Sequence, residues 1–130
     1  MSIQPVILLT GAAGDIGAAL IAALRERYTI VGLDMKGKQA ECDLIEIDLT
    51  RDDSVRQALE TFRSRYGQRI ASVIHLAAYF DFTGEERPLY TKVNVEGTRR
   101  LLRELQQFDV EQLLYPGTML VHAPASPGKR

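Results

Sequence analysis

The chain has no tryptophan, a single cysteine and only two histidines among its 130 residues. With Cys42 alone, no internal disulfide can form, which fits a reducing compartment, and no metal site is expected. Charge of one sign is not in excess. Sixteen basic and seventeen acidic residues are spread along the chain and leave a net charge of −1. Without a block of like charge there is no footprint for nucleic acid or for a membrane surface. Long hydrophobic runs are lacking as well. The run near the amino terminus, Val6 to Leu9, has no basic start and is too short for a signal peptide or a membrane span. No internal repeat or low-complexity segment occurs, and only the last residues, APASPGKR, read as loop. What remains is ordinary for a folded domain, with 45% hydrophobic and 25% charged residues. The length suits one domain or part of one, and the cytoplasm is the expected location.

Apolar runs alternate with helical periodicity. Val6–Thr10 is a continuous apolar run that predicts a strand buried on both faces. A helix is predicted from about Asp15 to Arg27, with Ile16, Leu20, Ala23 and Leu24 on one face. YTIVGLD predicts a second strand ending at Asp34, and the alternating DLIEIDL, Asp43 to Leu49, predicts a third. Thr50, with Asp53 three positions on, reads as the cap of a helix whose buried face is Val55, Leu59, Phe62 and Tyr66. IASVIHLAA predicts a fourth strand and YFDFTGEERP a loop. A long helix is predicted from about Leu89 to Gln107, carrying Val93, Gly97, Leu101 and Leu105, and VEQLLYP predicts a fifth strand. This order implies an α/β fold, a Rossmann-type doubly wound parallel sheet. Right-handed crossovers give the strand order 3-2-1-4-5.

Three glycines, Gly11, Gly14 and Gly17, punctuate the first strand–helix junction. Gly11 suits a tight bend, Gly14 lets backbone approach a phosphate, and Gly17 lets the helix pack against the first strand. The free amides and dipole of the helix start favour an anion there. Asp34 ends the next strand, twenty positions after Gly14. Its carboxylate can accept hydrogen bonds from both ribose hydroxyls of an adenosine and would repel a 2′-phosphate. The pattern therefore predicts a dinucleotide site that takes NAD in preference to NADP, although Lys36 and Lys38 could offset part of that repulsion.

These motifs carry a resemblance that covers essentially the whole chain. TGAAGDIG resembles the TGxxGxxG cofactor loop of the extended short-chain dehydrogenase/reductases, the NAD-dependent epimerase/dehydratase family. Asp48-Leu49, HLAA at His75 to Ala78, NVEGTRRLL and LLYPGTMLVHA resemble four further family signatures in the same order. The resemblance implies that residues 1–130 are an NAD(P)-binding domain, incomplete toward the substrate region. It assigns cofactor contacts to Gly11, Ala13, Gly14, Asp15, Ile16, Gly17, Asp34, Asp48, Leu49, Leu76, Ala77, Ala78 and Asn94. Two readings stand for Asp48, an acceptor for the adenine amino group or a charge facing a helix dipole. Asn94 either makes an inward hydrogen bond or is solvated. His75, inside an apolar strand, reads as a hydrogen-bonded core histidine rather than a catalyst.

The family's chemistry implies hydride transfer, with a tyrosine as acid/base and a lysine one helical turn on that lowers its pKa. Tyr28, Tyr66, Tyr79, Tyr90 and Tyr115 are followed four positions on by Gly32, Ile70, Thr83, Asn94 and Met119, so YxxxK does not occur. By alignment, Thr118 takes the role of the serine or threonine that steadies the substrate, or is a plain turn threonine. The chain is therefore expected to be the amino-terminal part of an oxidoreductase or epimerase/dehydratase, inactive alone, whose small-molecule substrate the sequence does not specify. A non-catalytic dinucleotide-binding sensor or regulatory module is the alternative. The resemblance also implies a homodimer contact through the helix 89–107.

Overall fold

A computed structural model of the chain describes residues 4–77 and 91–115. Its elements are β1 Val6–Thr10, α1 Asp15–Leu24, β2 Thr29–Asp34, β3 Asp43–Glu46, α2 Asp52–Tyr66, β4 Arg69–Ile70, β5 Ser72–His75, a π-helical segment Thr91–Glu96 continuing into α3 Gly97–Leu105, β6 Asp109–Val110 and β7 Leu113–Leu114. Every strand pair is parallel, and the main sheet runs β3-β2-β1-β5-β7. With β4 and β6 taken as the starts of the fourth and fifth strands, this is the expected order 3-2-1-4-5. Both of those strands are interrupted, near Ala71 and near Glu111–Gln112. The register is the same on either side of the breaks, Arg69 opposite Asp109 and Val73 opposite Leu113. Glu111 N–H still donates to Ile70 O, and Val73 N–H to Gln112 O, so one strand pair runs through.

The central strands are apolar because both faces are covered. Leu8, Val31, Leu33 and Val73 point toward α2 and α3, where Val55, Leu59, Phe62 and Leu101 complete one core. Ile7, Leu9, Ile30 and Ile74 point the other way and meet Ile21 of α1. β3 is shorter than expected because its partner β2 ends at Asp34. The alternation nevertheless continues, with Ile45, Ile47 and Leu49 all buried.

Three local expectations are corrected. The buried face of α1 is Gly17 and Ile21, whereas Ile16 is 65% exposed and Ala23 is also exposed. The glycine sets this rotation, since only a residue without Cβ fits against the turn before the helix. α1 also stops at Leu24, where Arg27 and Tyr28 amides close a turn onto the Leu24 carbonyl and lead into β2. Thr50 does not cap α2. The cap is Arg51 in extended conformation with no side-chain bond, and Thr50 donates both its amide and its hydroxyl to Asp48 Oδ1. The long helix ends at Leu105, with Gly97, Leu101 and Leu105 buried as the spacing predicted. Its segment Thr91–Glu96 is π-helical.

Candidate cofactor site

Thr10 ends β1, and the chain turns sharply. Gly11 has φ +70°, a conformation side chains resist, and its amide donates to Leu33 O at 2.9 Å. A Cβ here would lie 2.9 Å from Ala77 N, so the turn is seated against the end of β5. Gly14 closes the turn by donating to Gly11 O at 3.2 Å and caps α1 in ordinary extended geometry. A Cβ on Gly14 would meet only Gly11 O, at 3.5 Å, which leaves its outer face open. Gly17 is the reverse case. A Cβ there would lie 2.6 Å from Ala12 O and 2.7 Å from Gly11 O, so the helix packs on the turn's own carbonyls just past β1. The first amides of α1 have no intrahelical acceptor. Asp15 and Ile16 beside them are exposed, and solvent screens the Asp15 charge at this helix end.

Asp34 is tied to this turn. Its Oδ2 accepts from Ala13 N–H at 2.9 Å and its Oδ1 from Met35 N–H at 2.8 Å. Each carboxylate oxygen keeps acceptor capacity for a further donor. Lys36 and Lys38 are exposed on the following turn. Within β2, Gly32 was not singled out from sequence, yet a Cβ there would lie 2.6 Å from Ala12 Cβ and 2.8 Å from Leu44 Cδ1. Cys42 packs beside it, and burial pushes its thiol pKa up, away from thiolate reactivity.

Beyond β3, Asp48 is exposed, and the two hydrogen bonds from Thr50 hold its carboxyl below the usual range. Leu49 is only 7% exposed and belongs to the α2–α3 core. Arg100 of α3, also not foreseen, donates to Leu49 O at 3.2 Å and to Asp52 Oδ1 at 2.7 Å, fastening this turn to the helix. A guanidinium stranded between two helices is not visible in a periodicity.

Among the described residues, the end of β5 carries the most buried polar cluster. Thr10 and His75 face each other in register and are 0% and 2% exposed. His75 Nδ1 lies 2.6 Å from Thr10 Oγ1, and Nε2 lies 2.9 Å from Thr98 Oγ1. Thr10 Oγ1 also accepts from Ala77 N–H at 3.1 Å, and Thr98 Oγ1 donates to Asn94 O at 2.9 Å. His75 is thus a hydrogen-bonded core histidine, and burial lowers its pKa to about 4. Leu76 and Ala77 are half-buried beside the glycine turn, and Asn94 is half-buried in the π-helical segment. Ala78 and Thr118 lie outside the described residues. Thr10 and Thr98 stand inside the two motifs already quoted, and a hydroxyl ending an apolar strand was the signal that could have found the first.

A cavity of about 420 Å³ opens between α1 and residues 39–41. It touches Ala12 and Ala13 but none of Asp34, Asp48, Ala77 or Asn94, so it lies behind the turn and apart from the strand ends. Among the described residues no cluster of acidic, histidine or cysteine side chains could hold a metal, and no helix is long and apolar enough to cross a membrane.

A parallel sheet whose first strand runs through a glycine turn into a helix, with an acidic residue ending the second, defines a Rossmann-type dehydrogenase/reductase fold. The chain belongs to the NAD dependent epimerase/dehydratase family, whose model matches residues 7–129. It is 27% identical over 117 residues to N-acetyl-alpha-D-glucosaminyl-diphospho-ditrans,octacis-undecaprenol 4-epimerase of Escherichia coli O157:H7, covering 89% of this chain and 33% of that protein. It is 28% identical to UDP-glucuronate 4-epimerase of Thermodesulfobacterium geofontis, covering 92% of this chain and 41% of the relative. Among solved structures, a short-chain dehydrogenase/reductase superfamily protein from Agrobacterium tumefaciens with bound NAD superposes with a TM-score of 0.68 at 31% identity, over 85% of this chain and 31% of that one. The UDP-glucose 4-epimerase of Thermus thermophilus in complex with NAD gives a TM-score of 0.68 at 28% identity, over 83% and 36%. The chain therefore spans well under half the length of these relatives.

Proposed function

We propose that this chain binds NAD, in preference to NADP, as the cofactor-holding part of an epimerase/dehydratase-type oxidoreductase acting on a small molecule in the cytoplasm. The observation that carries the reading is the joint formed by Ala13 N–H and the Asp34 carboxylate beside the open face of Gly14. The open backbone and the free first-turn amides of α1 fit a pyrophosphate, and Asp34 fits a ribose diol. The NAD bound in two similar structures supports the choice of cofactor. When bound, NAD supplies a hydride acceptor at its nicotinamide. In this reading Gly11, Ala13, Gly14, Asp15, Ile16 and Gly17 hold the pyrophosphate end and Asp34 reads the ribose. Asp48 and Leu49 border the adenine, while Leu76, Ala77, Ala78 and Asn94 wall the cleft at the strand ends. Thr118 steadies the substrate hydroxyl or carbonyl. No acid/base pair at YxxxK spacing occurs in these 130 residues, so the work assigned to them is binding and orienting. Pairing of two copies through the helix 89–107 is supported by the exposed Val95 and Leu102 on it.

Titration calorimetry with NAD and with NADP tests the reading. Gly14→Val abolishes binding, because its side chain takes the pyrophosphate position while meeting nothing closer than 3.5 Å in the protein at Cβ. That clearance predicts a folded variant, to be checked by its melting temperature, and unchanged NAD affinity in it would remove the central claim. Asp34→Ala weakens NAD roughly tenfold, the loss of charge-assisted hydrogen bonds, and narrows the preference over NADP. An unchanged ratio of the two affinities shows that Asp34 does not read the ribose.

A further inference from the structure

The chain of hydrogen bonds through His75 has only one consistent proton arrangement. Asn94 O is a carbonyl and can only accept, so the single Thr98 hydroxyl proton is committed to it. Thr98 Oγ1 must then accept from His75, which places the imidazole proton on Nε2. Nδ1 is left bare and accepts the Thr10 hydroxyl proton, while a Thr10 lone pair accepts Ala77 N–H. Every member is satisfied, and the ring is neutral. Tyr115 stacks on it at 5.5 Å between ring centroids, at an angle of 26°.

This chain links three separate parts of the site. Thr10 precedes Gly11, Ala77 N is the atom nearest a Cβ on Gly11, and Asn94 sits in the last π-helical turn before α3. A hydroxyl bonding back to the carbonyl four residues earlier perturbs a helix, and π-helical turns recur at functional sites. We propose that His75 is a positioning residue which, protonated on Nε2, holds the β5 end against the glycine turn and fixes the Asn94 turn beside it. It touches neither cofactor nor substrate. The inference deepens the NAD-binding reading and rests on it for its affinity arm.

Thr98→Val tests the proposal without emptying the core, since valine is nearly isosteric and Thr98 lies only half in the interior. Without the hydroxyl, Nε2–H loses its acceptor. The nitrogen-15 NMR spectrum of the free chain should show His75 as the Nε2–H tautomer, and in Thr98→Val that pattern should change to mixed or Nδ1–H character. Exchange of the Ala77 amide should accelerate roughly tenfold or more, the scale expected for a buried donor left unpaired, and the NAD dissociation constant should rise as the strand end loosens from the glycine turn. Thr98→Ser should restore all three, a rescue that loss of packing alone would not give. An Nδ1–H tautomer in the parent chain overturns the proposal, as does a Thr98→Val variant with unchanged Ala77 exchange. If the parent chain binds no NAD, the functional reading fails, and the tautomer and amide signals alone decide this inference.

Discussion

Gly17→Ala should destabilise the protein by about 3 kcal/mol, the upper range for a side chain forced into filled space. That is a fall of roughly 10 °C or more in melting temperature for a domain of this size. The sign is what makes the test sharp. Within a helix, alanine is favoured over glycine by about 1 kcal/mol, so helix propensity alone predicts a more stable variant. Opposing it is a Cβ placed 2.6 Å from Ala12 O and 2.7 Å from Gly11 O. Both are backbone atoms of a turn that is itself held by Leu33 O and seated against Ala77 N, so neither can yield cheaply. Relief requires α1 to move away, which opens the glycine turn and should abolish NAD binding with it. Gly14→Ala is the internal control, since the same added carbon makes only an ordinary contact there, with Gly11 O at 3.5 Å. Thermal melts of the two variants side by side give the answer, and a Gly17→Ala protein as stable as the parent would show that this helix does not bear on the turn.

The second large effect is with pH. Burial lowers the His75 pKa to about 4 from an ordinary 6.5. The unfolded chain therefore binds a proton between those values that the folded chain refuses, and stability rises with pH across that window. The contribution is complete above about pH 6.5 and is lost progressively as pH falls through 4. Its size is about 3 kcal/mol, from the shift of the pKa. The hydrogen bonds give the same direction. A proton on Nδ1 would make that nitrogen a donor and leave the Thr10 hydroxyl proton without an acceptor in a fully buried place. Asp48, Asp52 and Asp53, whose carboxyls are held low by Thr50, by Arg100 and Arg103, and by Arg51 respectively, act at lower pH. Urea unfolding at pH 7 and pH 4 measures the slope. His75→Asn keeps an acceptor for Thr10 and removes the titrating ring, so most of the slope between pH 6.5 and 4 should vanish. A variant with the parent's slope would assign the effect elsewhere.

How much of this was legible in the sequence follows from what a pattern encodes. Runs such as Val6–Thr10 and the period of Val55, Leu59 and Phe62 report burial averaged over a face, and the strand order followed from them. The glycine turn and Asp34 were legible because their spacing is itself the geometry. The face of α1 was not, since apolarity at Ile16 and Ala23 outvoted a glycine whose packing contact lies in the preceding turn. Nor was the start of α2. Thr50 has the composition of a cap, but Asp48 two residues back competes for both of its protons. Leu49 could be placed beside a ligand from its motif, whereas its burial in the α2–α3 core depends on helices far along the chain. Thr10, Thr98 and Arg100 act through single directed bonds across 23 to 65 residues, and no local periodicity carries such a bond.

The same separations bear on how the site is assembled in time. The joint between Ala13 and Asp34 closes a segment of 21 residues, all within the β1–α1–β2 unit. The bond between Thr10 and His75 closes one of 65. Loop closure makes the longer one costlier by about 1 kcal/mol in chain entropy before any contact offsets it, and such non-local pairings slow folding. As the chain emerges from a ribosome, the Ala13–Asp34 corner has all its parts once β2 is made. The strand-end wall must wait for β5, and its tie to Asn94 for α3. The two halves of the proposed site thus have different birth dates, and a chain stalled between them already contains every residue of the earlier half.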